Sequence, residues 1–137
     1  MNRRLYLLIL PMFLLVSACQ KDEIINEYVT PNRTIFYTIP ANAWQPYETG
    51  NGFIATIPIP GLTNYVNDHD GVLVYLSYTD KVYEQIPQVF DGVSYVFTTR
   101  PGAIDVEVQS SDGINATLRT PPGTVSAKIV LIESEKL

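Results

Sequence analysis

From residue 33 onward, apolar and polar positions alternate with a period of two, in short runs broken by Gly, Pro, Asn and Asp. That pattern predicts an all-β domain. The clearest run is AIDVEVQ, where Ile104, Val106 and Val108 alternate with Asp105, Glu107 and Gln109, so one face of the strand enters a core and the other meets water. GVLVYLSY differs: it is apolar at nearly every position from Val72 to Leu76, the pattern of a central strand covered on both faces. Thr34 to Ile39, Phe53 to Ile57, Val82 to Ile86, Val93 to Thr98 and Val125 to Ile132 bring the total to about seven predicted strands. No stretch carries a helical period.

Turn chemistry separates these runs. Asn51-Gly52, Asp70-Gly71, Asp91-Gly92 and Asp112-Gly113 supply residues tolerant of positive φ, and Pro101-Gly102 and Pro122-Gly123 pair a fixed φ with a permissive residue. Pro58 and Pro60 each lack a ladder donor, which places the end of their strand at a sheet edge. A two-sheet antiparallel β-sandwich over residues 33–137 accommodates the arrangement best, with an open β-barrel as the alternative.

Ahead of the alternating region the pattern changes character. Arg3 and Arg4 precede an apolar run from Leu5 to Val16, 12 residues long, which is shorter than the roughly 17–25 that a membrane-spanning helix needs. Ser17 and Ala18 then lead into Cys19, the only cysteine. A positive start, a short apolar run and small residues before the cysteine are the parts of a secretory signal, and the stretch resembles a bacterial lipobox. Residues 1–18 are therefore expected to be a lipoprotein signal peptide and Cys19 the acyl acceptor, with the membrane as a partner through that anchor. A lone cysteine forms no intrachain disulfide. Residues 19–32 lack a sustained period and end in Pro31 and Asn32, as a tether would. Gln20, Lys21, Asp22 and Glu23 resemble the acidic export signal that follows the lipidated cysteine in surface-exposed lipoproteins of Bacteroidetes, and they imply an outer-membrane, cell-surface location.

Charge narrows the partners. Of the 137 residues, nine are Lys or Arg and 14 are Asp or Glu; loss of Arg3 and Arg4 with the signal leaves seven against 14, a net charge of −7. Such a domain gains nothing from phosphate backbones or anionic headgroups, so nucleic-acid binding is not expected and the anchor must come from lipid. The 119 residues from Cys19 onward suffice for one domain.

The order of the motifs adds a resemblance. Trp44, Ile57-Pro58, DGVLVY from Asp70 to Tyr75, Ile86-Pro87, PGAI from Pro101 to Ile104, Asp112-Gly113 and KIVLI from Lys128 to Ile132 make residues 34–132 similar to a small C-terminal β-domain of uncharacterised Bacteroidetes lipoproteins. That domain often stands behind a collagen-like Gly-x-y stalk. The present chain has no Gly-x-y repeat, so no trimeric stalk is implied, and the resemblance brings no catalytic residue.

Candidate chemistry is sparse. His69, the single histidine, lies in NDHDG; enlisting Asn67, Asp68, His69 and Asp70 as an EF-hand loop with its glycine at Gly71 would require ligands at Val66 and Ser77 that are absent. A solvated turn is the simpler reading, and no metal or cofactor is expected. No G-x-S-x-G elbow accompanies the serines, and Asp105 and Glu107 alternate as a wet strand face requires. A binding or structural role is therefore expected over an enzymatic one. Trp44 and Tyr47, in NAWQPYETGNG, are the candidate exposed aromatic pair for contact with a glycan or a surface protein, weighed against a packing role for so large a side chain as the indole.

Overall fold

The computed structural model describes residues 31–47, 51–112 and 122–134. Residues 1–18, expected to be a signal peptide, and Cys19 and Gln20 to Glu23 lie outside the described residues.

Two antiparallel sheets face one another. Their strands are β1 (Arg33–Ile39), β2 (Gln45–Pro46), β3 (Gly52–Pro58), β4 (Gly71–Ser77), β5 (Glu84–Ile86), β6 (Gln88–Phe90), β7 (Val93–Arg100), β8 (Ala103–Ser110) and β9 (Val125–Ile132). One sheet runs β1-β9-β4-β5 and the other β2-β3-β8-β7-β6. The sandwich is thus as expected and no barrel closes. The seven predicted strands are present; β2 and β6 are additional, and the segment from Val82 shortens to β5. Among the described residues, no helix is long and apolar enough to cross a membrane.

The alternation in sequence becomes the core. Ile57, Ile104, Val106 and Val108 from the five-stranded sheet meet Val74, Leu76, Ile129 and Leu131 from the four-stranded one, all at 1% exposure or less. Strand β4 departs from the reading that both its faces are covered. It is central, but within Val72 to Leu76 only Val74 and Leu76 are buried, while Leu73 and Tyr75 on the opposite face are half-buried. Side chains on that outer face, rather than a second layer, cover them in part.

Turns follow the predicted chemistry where it matters most. Asp91 and Gly92, with φ of 48° and 73°, join β6 to β7 in the doubly left-handed turn whose twist suits a two-residue hairpin. Between β7 and β8 stand Pro101 and Gly102, the latter at φ 84°, a proline followed by a residue that must tolerate positive φ. Pro58 ends β3, whose neighbour β2 reaches only Phe53 and Ile54. The far half of β3 therefore pairs with β8 alone, and a residue without N–H costs nothing there.

One element is unannounced by the sequence. NDHDG does not form a bare turn: Asn64–His69 is a short helix, α1, with Thr63 as its N-cap accepting from the Val66 amide. Asp70 closes it, and Gly71 opens β4.

Candidate recognition surface

The aromatic pair expected at Trp44 and Tyr47 is not an exposed platform. Trp44 is 5% exposed and belongs to the core, where its indole Nε1 donates to the Gly123 carbonyl at 3.2 Å. Burying the largest side chain outweighed displaying it, and the carbonyl satisfies its single donor. Tyr47 is half-buried and donates its hydroxyl to Glu107 Oε2. Desolvation first, and that hydrogen bond to a carboxylate second, raise its pKa above the ordinary tyrosine value.

Tyr47 and Glu107 lie on the outer face of the five-stranded sheet, next to Asp105. That carboxylate accepts from Arg100 Nε at 2.8 Å, from Arg100 Nη2 at 3.3 Å and from Thr56 Oγ1 at 2.5 Å. The Arg100 contact holds the Asp105 pKa below the usual carboxylate value. Both carboxylates on β8 are thus engaged in cross-strand contacts on the wet face. His69 stacks on Tyr65 with ring centroids 4.2 Å apart, and no group of three or more metal-ligating side chains occurs among the described residues.

Apolar exposure concentrates elsewhere. Six large hydrophobic side chains are exposed among the described residues: Phe36, Tyr65, Tyr78, Val82, Val89 and Phe90. Four of them lie in segment 78–90, and Phe36 meets Tyr83 of that segment with ring centroids 6.2 Å apart. The segment forms an edge loop, crosses from the four-stranded sheet to the five-stranded one at the cis bond between Ile86 and Pro87, and so joins β5 to β6. It borders two features.

The first is the outer face of the four-stranded sheet. Strand register places Phe36, Lys128 and Tyr75 in one row across β1, β9 and β4. Lys128 Nζ sits 4.2 Å from the Tyr75 ring centre and 4.7 Å from that of Tyr83, so its charge lies over two aromatic faces. The second is a cleft of about 280 Å³ at the sandwich edge, lined by Tyr78, Glu84, Phe90 and Tyr95. Tyr78 and Tyr95 meet edge to face at 5.9 Å and 65°, while Gln88 Nε2 donates to Glu84 Oε2 at 2.8 Å. A smaller hollow of about 210 Å³ beside α1, lined by Pro31, Arg33, Tyr65 and Asp70 among others, mixes charges of both signs around one ring.

Part of this surface was legible. In RTIFYTI, Ile35, Tyr37 and Ile39 hold the inward phase, which leaves Phe36 as an aromatic residue on the solvent face. The cleft carried no such signal, because its four residues come from a loop, two edge strands and a hairpin arm. Comparison with known proteins gives no match: no family model, no curated protein and no solved structure is similar to the chain.

Proposed function

We propose that this chain is a lipid-anchored outer-membrane protein whose β-sandwich is a binding module, displayed at the cell surface with segment 78–90 as its contact region. The observation that carries the binding role is the clustering of exposed apolar side chains around that one segment, since isolated surface hydrophobics are ordinary and contiguous ones mark contact sites. Support for the anchor comes from Arg3, Arg4, the apolar run and Cys19, and support for surface display from Gln20 to Glu23. The resemblance to β-domains of Bacteroidetes lipoproteins agrees with both. A glycan or a surface protein remains the partner class, and any glycan contact shifts from Trp44 to Phe36, Tyr75 and Tyr83, whose rings lie on or beside the outer face of the four-stranded sheet around Lys128.

Metabolic labelling with palmitate tests the anchor. The wild-type chain should take up label and lose residues 1–18, and Cys19→Ala should do neither. Protease treatment of intact cells should remove the domain; an unlabelled wild-type chain, or a domain that survives shaving, would overturn the anchor or the surface location respectively.

A further inference from the structure

The edge cleft has a composition unlike that of the rest of the surface. Three aromatic side chains and one carboxylate line it, with no cationic residue among them. Tyr78 and Tyr95 stand as two walls 65° apart, and Phe90, 68% exposed, offers a third ring with little of its surface committed to the core. Gln88 fixes Glu84 through Oε2, leaving the carboxylate oriented and with acceptor capacity to spare. Burial first, then Tyr95 and the Glu84 charge, keep the Tyr78 phenol protonated well into the alkaline range. The cleft is therefore a place of negative potential bounded by π faces.

We propose that this cleft binds an organic quaternary ammonium group, seated against the rings of Tyr78, Phe90 and Tyr95 and paired with Glu84. Aromatic faces attract a cation through the ring quadrupole, and a carboxylate adds charge complementarity. A primary ammonium brings three N–H donors that each need an acceptor, whereas three rings and one carboxylate supply mainly apolar contact and a single charge. A methylated nitrogen has no donor to leave unsatisfied. The volume, about 280 Å³, lies just below the roughly 300–1,000 Å³ of small-molecule sites and suits a head group rather than an extended ligand. This inference rests on reading segment 78–90 as the contact region and names the chemistry of one part of it.

Titration of the full-length protein in a nonionic detergent with choline chloride, followed by NMR of the aromatic rings at constant ionic strength, tests it. Saturable shifts should appear at Tyr78, Phe90 and Tyr95, and should be weaker for ethanolamine and for 3,3-dimethylbutanol, the uncharged analogue of choline. Loss of the carboxylate charge in Glu84→Gln should weaken binding by about two- to fivefold, and Phe90→Ala by about two- to fivefold. Tyr65→Ala, exposed beside α1 and not part of the cleft lining, should leave choline binding unchanged. All three variant positions are exposed, and an unchanged amide spectrum elsewhere confirms folding. Equal binding of dimethylbutanol would make the cleft a plain apolar hollow, equal or tighter binding of ethanolamine would remove the preference for methylated nitrogen, and absence of saturable shifts would remove the site; each overturns the inference. If choline fails while a protein or glycan partner is still lost on Phe90→Ala, the ammonium assignment falls and the contact region stands.

Discussion

At the scale of single residues, Trp44 shows how one hydrogen bond and one buried ring settle a role that composition leaves open. A tryptophan in a loop rich in Asn, Pro and Gly is an obvious candidate for display, yet its indole fills the core and reaches the Gly123 carbonyl. Trp44→Ala should therefore cost stability, about 3–5 kcal/mol by urea unfolding, whereas Phe90→Ala should stay within about 0.5 kcal/mol of wild type. A loss below about 1 kcal/mol for Trp44→Ala would return that side chain to the surface. Phe36 makes the converse point. Its neighbours Ile35 and Tyr37 pack against the core, so period two forces it outward whatever its hydrophobicity.

At the scale of elements, what the sequence disclosed and what it hid have physical reasons. The long strands were readable because β9 keeps all eight residues in inward–outward phase and β8 does so from Ile104 to Gln109. The two-residue β2 and the three-residue β6 are too short for any period to register, and both exist because a longer neighbour offers a ladder. Helix α1 spans six residues, under two turns, and its NYVNDH sequence lacks strong helix formers. Thr63 was its one local sign, a cap three residues before the amide it accepts from. Of the exposed apolar surface, Phe36 was visible in the phase, but the cleft arises only when β5 and β6 come together at the sandwich edge. The sheets also fix where the backbone is close. A Cβ on Gly52 would lie 2.4 Å from the Val108 carbonyl oxygen and 2.8 Å from the Gln109 Cβ, opposite the end of β8. Gly52→Ala should thus destabilise by about 1–3 kcal/mol through forced separation of β3 from β8, while Gly123→Ala, with nothing within 4 Å of the added atom, should be near neutral in the same unfolding assay.

For the whole molecule, the titrating groups set a stability window. Asp105 has a lowered pKa because Arg100 binds its charged form; its contribution is present above the ordinary carboxylate value and disappears as pH falls through the lower folded value. Tyr47 and Tyr78 have raised pKa values, chiefly from desolvation, so their contribution is present below the ordinary value of 10.0 and is lost as pH climbs above it. Urea unfolding across pH should show a plateau from about pH 5 to about pH 9 with losses on both sides. Asp105→Asn should flatten the acid side and Tyr47→Phe the alkaline side; a variant whose profile parallels wild type would show that its group does not shape that limb.

The order β1-β9-β4-β5 has a mechanical consequence. In the proposed arrangement the lipid holds the protein through the segment that enters β1 at Arg33, while the cleft lies beside β5, at the far side of the same sheet. The share of a tug on a captured molecule that enters through Glu84 on β5 would cross three successive ladders of hydrogen bonds before reaching the anchor, and the β1–β9 ladder, seven residue pairs long, is the last link in that line. Such a module would behave as a chain of fasteners in series, its grip limited by the weakest seam rather than by the sum of them.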